Sequence, residues 1–274
     1  MDGIEFLKMH GLGNDFVILD ARARDIPLEP EAIRHIADRH FGVGCDQLIR
    51  LEPSDRGDVF MRIWNPDGSE AEACGNATRC VARLLMAEEG NKRIAIETLA
   101  GILEGREAKG IVSVDMGPAH LGWQDIPLAH EADTDHVDLG SVAPAVCVSM
   151  GNPHAVLFVK DCDAIDLAGE GHRLEHHPMF PRRANISFVT VESRKRLRAR
   201  VWERSAGATL ACGSAACAII VAASRRGLTG RSATVALPGG ELSMTWRDDG
   251  HVLMAGPTAL TYRGTFEPVR AKVA

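Results

Sequence analysis

The sequence predicts an α+β fold in which one unit, a mostly antiparallel β-sheet curled around a central helix, occurs twice with pseudo-twofold symmetry. Three observations support this prediction: an internal repeat, a helical hydrophobic pattern at the matching place in each copy, and short apolar runs around both helices. With 274 residues, of which 45% are hydrophobic and 25% charged, the chain is long enough for two modest globular domains.

The repeat relates residues that are 138 positions apart. Arg-Ile-Trp at 62–64 and Ala-Cys-Gly at 73–75 recur as Arg-Val-Trp at 200–202 and Ala-Cys-Gly at 211–213. The same offset relates Gly13-Asn14 to Gly151-Asn152 and Gln47 to Asn185, and an offset of 139 relates Gly117-Pro118 to Gly256-Pro257. A register kept to within one residue over this span predicts a duplicated unit.

The duplication predicts two domains, an N-terminal repeat over 1–118 and a C-terminal repeat over 119–257. The first part of the second domain, 119–141, is rich in His, Asp, Gly and Pro, which is typical of an irregular linker. The tail, 258–274, contains the only tyrosine, Tyr262. We expect this tail to pack back on the first domain or on a partner chain.

The segment after the shared cysteine has a helical pattern in both copies. In the first copy one apolar stripe has the spacing i, i+3, i+4, i+7 and i+8, and it is formed by Ala77, Cys80, Val81, Leu84 and Leu85. Gly90 then offers a C-terminal end. In the second copy, residues 215–223 are apolar on every side, which is typical of a buried helix. These segments are the predicted central helices.

Short apolar runs around these helices predict strands. They lie at Phe16–Leu19, Ile111–Val114, Ala155–Val159 and Ile186–Val189. The one basic cluster, 194–200, alternates with apolar residues towards its end, which favours the solvent face of a further strand.

Composition excludes several classes of protein. The formal net charge of −6, without a clustered basic surface, argues against nucleic-acid binding. No run approaches the ~18 apolar residues that a membrane helix needs, and the first residues lack the pattern of a secretory signal. Seven cysteines, an odd number, favour free thiols in a reducing compartment. We therefore expect a cytoplasmic protein without a membrane or nucleic-acid partner.

Cys74 and Cys212 occupy matching positions, each in an Ala-Cys-Gly turn before a predicted helix. In a duplicated fold the two thiols would face each other across a ligand bound in the cleft between the domains. Inverting a stereocentre by proton transfer calls for this arrangement, because a base removes the proton from one face while an acid returns a proton to the other. Cysteine suits both roles, since it can be poised as thiol or thiolate near neutral pH.

The residues after each cysteine, Gly75-Asn76 and Gly213-Ser214, suit a helix start that contacts a ligand. Asn and Ser are preferred N-cap residues, and glycine permits close approach of a ligand. The helix N-terminus carries N–H donors and partial positive charge, which favour a thiolate and a bound carboxylate. Two such ends directed at one α-carboxylate would stabilise the charge that develops as the α-proton leaves. No metal and no cofactor is expected.

The remaining cysteines fit a hydrophobic core, and they are Cys45, Cys80, Cys147, Cys162 and Cys217. One asymmetric difference between the copies also carries chemistry. Glu203 stands where the first copy has Asn65, and Arg204 follows it. Such a pair could hold the ammonium and carboxylate groups of a zwitterionic substrate, and the competing interpretation is an ordinary salt bridge.

These motifs resemble those of the diaminopimelate epimerase family, and the resemblance extends over nearly the whole chain. They are Gly-Leu-Gly-Asn-Asp-Phe-Val at 11–17, Gly-Val-Gly-Cys-Asp-Gln at 42–47, the segment 65–76 around Cys74, Met-Gly-Asn-Pro-His at 150–154, Phe-Pro-Arg-Arg-Ala-Asn at 180–185, and Glu203-Arg204 leading to Cys212-Gly213-Ser214.

The resemblance implies a two-domain fold that interconverts LL- and meso-2,6-diaminopimelate without pyridoxal phosphate or metal, with Cys74 and Cys212 as the paired thiols, and it implies a homodimer. His154 and Glu203 would tune the pKa values of the thiols. Substrate contacts would come from Asn14, Gln47, Asn65, Gly75, Asn76, Asn152, Asn185, Glu203, Arg204, Gly213 and Ser214. The chain departs from the commonest family pattern at Ala73, Ala77, Ser205 and Ser214-Ala215.

Other functions compete with this interpretation. A related racemase could act on proline or hydroxyproline, and a protein of a different class could bind amino acids without catalysis or sense redox state through its thiols. His172-Arg-Leu-Glu-His176 matches a zinc-peptidase pattern, but Pro178 follows almost at once and no third ligand is evident. We therefore predict no metal site there.

Overall fold

The computed structural model describes residues 3–108 and 110–267. The chain divides into two compact units, one formed by Met1–Val114 together with Pro257–Ala274 and the other by Asp115–Gly256. Of the predicted tail, residues 268–274 lie outside the described residues.

The elements follow one another in the same order in the two halves of the chain. The first half contains β1 (Ile4–Gly11), β2 (Asn14–Asp20), α1 (Pro30–Ala37), β3 (Gln47–Glu52), β4 (Val59–Trp64), β5 (Glu70–Ala71), α2 (Gly75–Glu89), β6 (Arg93–Thr98), β7 (Gly101–Ala108) and β8 (Ile111–Pro118). The second contains β9 (Ala145–Ser149), β10 (Pro153–Phe158), α3 (Leu167–Glu175), β11 (Asn185–Ser193), β12 (Arg196–Glu203), β13 (Gly207–Ala208), α4 (Gly213–Arg225), β14 (Ser232–Leu237), β15 (Gly240–Trp246) and β16 (His251–Gly256), and β17 (Ala259–Phe266) follows.

The strands of the first unit pair in the order β17, β1, β2, β3, β4, β6, β7 and β8, with the short β5 also on β4. Only the β2–β3 and β4–β6 pairings among these are parallel. The strand in the tail, β17, lies antiparallel to β1, with Tyr262 opposite Lys8.

The second unit repeats this pattern with β9, β10, β11, β12, β14, β15 and β16, and β13 also lies on β12. Its parallel pairings are β10–β11 and β12–β14, the counterparts of those in the first unit. The predicted duplication of a mostly antiparallel unit is therefore confirmed. Three of the four predicted strand runs lie within a strand, and the fourth, Ala155–Val159, extends one residue past the end of β10 at Phe158.

The two predicted central helices are α2 and α4. Helix α4 contacts strands β9, β10, β11, β14, β15 and β16 of its own unit, and its residues Ala215–Ala223 are all buried, so the sheet curls around it. Helix α2 packs on β1, β6 and β7 and ends at Gly90, whose φ of 72° places it in the left-handed conformation that glycine adopts without strain. Gly105 of β7 lets α2 approach closely, because a Cβ there would lie 2.5 Å from that of Ala82.

The division between the units lies within β8, at Asp115, whereas the sequence places the end of the first domain at residue 118. The first residue beyond the division contacts the second unit through its carboxylate. Asp115 pairs with His251 Nδ1 at 3.0 Å and faces Arg247 at 3.8 Å, and both partners belong to the second unit.

From Arg196 onward the basic cluster is the partly exposed face of β12, as predicted, whereas residues 194 and 195 lie in the turn before that strand. Leu197, Ala199 and Val201 are buried, and the arginines between them point to the other side of the strand. Arg200 donates to the carbonyl of Ile165 at 3.1 Å. Within residues 3–108 and 110–267, no helix combines the length and apolar character needed to span a bilayer.

Candidate active site

Cys74 and Cys212 each occupy the N-cap position of a central helix, directly before its first residue. Both are extended, with φ of −147° and −115°. Each carbonyl accepts the first intrahelical hydrogen bond, from the N–H of Thr78 over 2.9 Å and of Ala216 over 3.1 Å. The two thiols thus stand at equivalent helix starts, where first-turn N–H groups have no partner within the helix.

The expectation that Asn76 and Ser214 would be the N-cap residues is wrong. The helices begin at Gly75 and Gly213, so the two polar residues lie at the second helical position. An N-cap residue is extended and its carbonyl accepts the first helical bond, and the cysteines meet both conditions. Asn76 and Ser214 are therefore placed to contact the groups around each thiol.

The predicted polar residues of the first unit lie along one edge of its sheet. Asn14 begins β2, Gln47 begins the parallel neighbour β3, and Asn65 follows the antiparallel strand β4. Gln47 Nε2 donates to Asn65 Oδ1 over 3.1 Å. Because β2 starts, β3 starts and β4 ends at the same edge, the three side chains share it.

Asn14 reaches the Cys74 thiol from this edge. The two-residue turn between β1 and β2 has both residues in the left-handed region, Leu12 at φ 58° and Gly13 at φ 87°, as tight hairpins require. The Cys74 thiol donates to Asn14 Oδ1 over 3.9 Å, and Asn76 Nδ2 donates to the same oxygen over 3.0 Å. The structure therefore brings these two asparagines to Cys74.

In the second unit the equivalent edge surrounds Cys212. Asn152 precedes β10, and its Nδ2 donates to Ser214 Oγ over 3.3 Å. Ser214 Oγ lies 3.6 Å from Cys212 Sγ. Glu203 ends β12 and accepts a hydrogen bond from Thr209 Oγ1 over 2.6 Å. The matched positions thus form a second thiol environment, built from a hydroxyl, an amide and a carboxylate.

Asn185 braces this second environment from below. It is buried, its Nδ2 donates to the carbonyl of Pro153 over 3.0 Å, and its Oδ1 accepts from the backbone N–H of Arg204 over 2.9 Å. The side chain therefore ties the start of β10 to the turn after β12. Its contact with substrate stays a prediction.

The Cys212 thiol is held in its protonated form. Burial raises its pKa well above the usual 9.0, and the neighbouring carboxylate of Glu203 raises it further. The Ser214 hydroxyl and the N–H of Ala215 act in the opposite direction, as donors to the sulfur, but do not prevail. Cys45, Cys80 and Cys147 have pKa values raised to about 11, 12 and 12 by burial, as suits core cysteines.

His154 is a neutral imidazole at physiological pH. It is fully buried, and this burial, with a contribution from the charge of Arg204, lowers its pKa to about 3. Its Nε2 lies 2.9 Å from Asn152 Oδ1. The ring is connected to Cys212 through Asn152 and Ser214, so it can act on that thiol by orienting the amide rather than by charge.

Sequence reasoning missed Glu175, which lies beneath the turn that carries Glu203 and Arg204. Its buried carboxylate accepts hydrogen bonds from Trp202 Nε1 over 2.8 Å and from the N–H of Ser205 over 3.0 Å. Ser205 has a φ of 65°, which is uncommon for a residue with a side chain. The only sequence signal was the His172–His176 motif, which points to a different role.

Ligand atoms of His172, Glu175 and His176 lie within 4.8 Å of one another. Both carboxylate oxygens of Glu175 already accept hydrogen bonds from Trp202 and Ser205. The Glu175 carboxylate therefore has a structural role, as the acceptor for these two donors. That no metal binds at this position stays a prediction.

Two further charged residues were missed, and neither belongs to the predicted set. Asp46 accepts a hydrogen bond from Asn14, and Arg79 donates one to Asn76. Asp46 lies within the motif at 42–47, but the motif assigns it no role, and Arg79 lies in none of the quoted motifs, so only contacts in the folded chain could identify the function of either residue.

Comparison with known proteins places this geometry in a family. The sequence profile described as diaminopimelate epimerase matches twice, over residues 6–122 and 146–261, in agreement with the duplicated fold. A diaminopimelate epimerase from Rhodospirillum centenum is 57% identical over 264 residues, which cover 94% of this chain and 91% of that protein.

Solved structures with low sequence identity share the fold. A putative phenazine biosynthesis PhzC/PhzF protein from Clostridium difficile has a TM-score of 0.72 at 17% identity, covering 96% of this chain and 99% of that one. A hydroxyproline epimerase from Agrobacterium vitis, solved with bound trans-4-hydroxy-L-proline, has a TM-score of 0.66 at 15% identity, covering 97% and 91%. The profile match and the relative at 57% identity agree with the matched thiols at the two helix starts. This chain belongs to the diaminopimelate epimerase family.

Proposed function

We propose that this protein is an isomerase that converts LL-2,6-diaminopimelate to meso-diaminopimelate, a step of lysine and peptidoglycan precursor biosynthesis, by proton transfer between two cysteines and the α-carbon. Membership of the diaminopimelate epimerase family and a diaminopimelate epimerase relative at 57% identity support the reaction. The observation that carries the mechanism is the equivalent placement of Cys74 and Cys212 at the N-caps of the two central helices.

In the proposed reaction the substrate is held by residues of both units, and the two thiols address opposite faces of one carbon. Cys74, which donates its S–H to Asn14 Oδ1 as a thiol, first loses that proton to solvent. As thiolate it then takes the α-proton, and the electron pair of the C–H bond is left on the substrate. Cys212, as thiol, delivers its proton to the other face and becomes a thiolate. The raised pKa of Cys212 supports this assignment, because the group that donates a proton must hold one beforehand.

The helix starts would stabilise the charge that develops during this transfer. Loss of the α-proton places negative charge on the α-carbon and its carboxylate. First-turn N–H groups and the positive end of the helix dipole favour an anion at this position. Losing one such preorganised donor typically costs about 10²–10³ in rate. We therefore propose that no pyridoxal phosphate or metal takes part.

The polar edges of the two sheets would supply recognition of the substrate. Asn14, Gln47 and Asn65 present amides in the first unit, and Glu203 and Arg204 add charges in the second. Glu203 and Arg204 suit an ammonium and a carboxylate, so a zwitterionic amino acid is the proposed class of ligand. The remaining proposed contacts are Gly75, Asn76, Asn152, Asn185, Gly213 and Ser214. We also propose that the enzyme is a cytoplasmic homodimer.

Exchange of the α-proton in D₂O tests the proposal directly. The purified protein, with no added cofactor, should incorporate deuterium at the α-carbon of LL-diaminopimelate and yield the meso isomer. Proline and hydroxyproline serve as alternative substrates, and we expect no turnover of either. Turnover of these two but not of diaminopimelate would refute the proposed substrate.

Cysteine variants test the assignment of the thiols. Cys74→Ala and Cys212→Ala should each reduce turnover by at least about 10³-fold, since each removes one of the two proton-transfer groups. Cys80→Ala is the matched control. Cys80 is buried on α2, the helix that Cys74 caps, and it is not part of the proposed site. Full turnover in either of the first two variants would contradict the mechanism.

A further inference from the structure

Asn14 and Asn76 belong to a continuous chain of hydrogen bonds within the first unit. Arg79 Nη2 donates to Asn76 Oδ1 over 2.8 Å, and Asn76 Nδ2 donates to Asn14 Oδ1 over 3.0 Å. Asn14 Nδ2 in turn donates to Asp46 Oδ2 over 3.0 Å. The chain therefore begins at a guanidinium and ends at a carboxylate.

The charged ends determine which way each amide faces. A guanidinium has only donors, and a carboxylate has only acceptors. Asn76 consequently turns its oxygen to Arg79 and its nitrogen to Asn14, while Asn14 turns its nitrogen to Asp46. The Asn14 oxygen is left facing Cys74 Sγ at 3.9 Å. Reversing Asn14 alone would bring its amide nitrogen against that of Asn76, so the two orientations depend on each other.

Neighbouring residues fix both ends of this hydrogen-bond chain, Arg79 and Asp46. Arg79 is fully buried, and Gly11 leaves room for it, because a Cβ at that position would lie 3.0 Å from Arg79 Nη2. Asp46 also accepts hydrogen bonds from the N–H of Asp15 over 3.1 Å and from Arg39 Nη2 over 2.7 Å. The carboxylate therefore has little freedom to turn away from the amide.

We propose that Asp46 and Arg79 are positioning residues of the reaction, which set the orientation of the Asn14 amide beside Cys74. This inference rests on the proposed function. The device belongs to one thiol only, since the positions 138 residues later are Ala184 and Cys217, which carry no charge.

A double-mutant cycle tests the proposal. Asp46→Asn keeps the shape of the side chain but adds donors. The side chain at position 46 can then pair with either end of the Asn14 amide, so it no longer fixes the orientation of that amide. We expect kcat/KM for LL-diaminopimelate to fall about ten-fold, the equivalent of one hydrogen bond to a charged group. In the Asn14→Ala background, Asp46→Asn should change kcat/KM less than about two-fold, because the residue acts through that amide.

Asp20→Asn is the matched control. Asp20 ends the strand that Asn14 begins, and its carboxylate also accepts hydrogen bonds from an arginine, Arg22. Its side chain is 47% exposed, close to the 43% of Asp46. We expect its kinetics to equal those of the wild type. Asp46→Glu, which keeps an acceptor-only end, should restore kcat/KM to within about three-fold of the wild type.

The outcomes separate this inference from the proposed function. An equal loss from Asp46→Asn with and without Asn14, or a loss in Asp46→Glu as large as in Asp46→Asn, would overturn the positioning role while leaving the reaction in place. A wild-type protein without α-proton exchange would overturn both. Non-additive loss together with rescue by glutamate would support the assignment.

Discussion

Replacing Glu175 by glutamine is a sharp test of how the turn that carries Glu203 and Arg204 is held. Glu175 is only 3% exposed, and its two oxygens accept from Trp202 Nε1 at 2.8 Å and from the Ser205 N–H at 3.0 Å. Glutamine has nearly the same shape but a single accepting oxygen. One of the two donors would therefore face an amide nitrogen and lose its partner.

The expected loss of unfolding free energy is about 2–4 kcal/mol. A hydrogen bond to a charged group is worth about 1.5–3 kcal/mol, and an unsatisfied buried donor costs about 1–3 kcal/mol, but the two contributions overlap. Urea denaturation at neutral pH measures the difference. We also expect KM to rise in the variant, since Arg204 lies next to the released Ser205 N–H.

The control for this experiment is Glu170→Gln on the same helix. Glu170 pairs with Arg173 on the surface at 2.7 Å, so its loss should cost less than about 1 kcal/mol. If the two variants lost equal free energy, to within about 0.5 kcal/mol, the buried anchor would be refuted.

The pH dependence has a defined sign. Burial by itself raises the pKa of Glu175, but the hydrogen bonds from Trp202 and Ser205 lower it below the usual 4.5. A lowered pKa in the folded state stabilises the protein above the unfolded-state value, and this contribution is lost as the pH falls through the folded-state value. The advantage of the wild type over Glu175→Gln should therefore shrink in acid below about pH 4.5.

Two further outcomes are expected. Burial raises the pKa of Asp15, but hydrogen bonds from Arg39 and Lys8 lower it well below 3.8. The stability advantage of the wild type over Asp15→Asn should therefore be complete above about pH 4 and decline below it. Urea titrations across that pH range would detect the decline. Gly171→Ala should lower the free energy of unfolding by about 1–3 kcal/mol, because a Cβ there would lie 2.6 Å from the Trp202 ring. The control Gly230→Ala, which has open space around it, should cause no such loss in thermal unfolding. Equal stability of the two variants would contradict the packing.

Much of this molecule could be predicted from the sequence, because its signals are local or repeated. The spacing of apolar residues after each cysteine predicts the central helices, and a core stripe depends only on helical periodicity. The fixed offset between Cys74 and Cys212 predicts the duplication without any knowledge of contacts. The N-cap positions were the exception, because Asn76 and Ser214 have higher capping preference than the cysteines that the chain places there.

The charged residues behind the site could not be predicted in this way. Asp46 lies 32 residues from the amide that it orients, and Glu175 lies 30 residues from the N–H that it accepts. Neither pairing leaves a periodic signal in the sequence, since it depends on which strands become neighbours. The environment of His154 likewise depends on complete burial, which no single residue type reveals.

By itself, the sequence determined the duplicated architecture, the two central helices and the pair of thiols at matching positions. These follow from periodicity and repetition along one chain. Only the tertiary structure decided which groups hold those thiols and their amides in place, and which protonation state burial imposes on Cys212 and His154. The physical reason is that desolvation and hydrogen bonding act between residues far apart in sequence, so they exist only after the strands have paired.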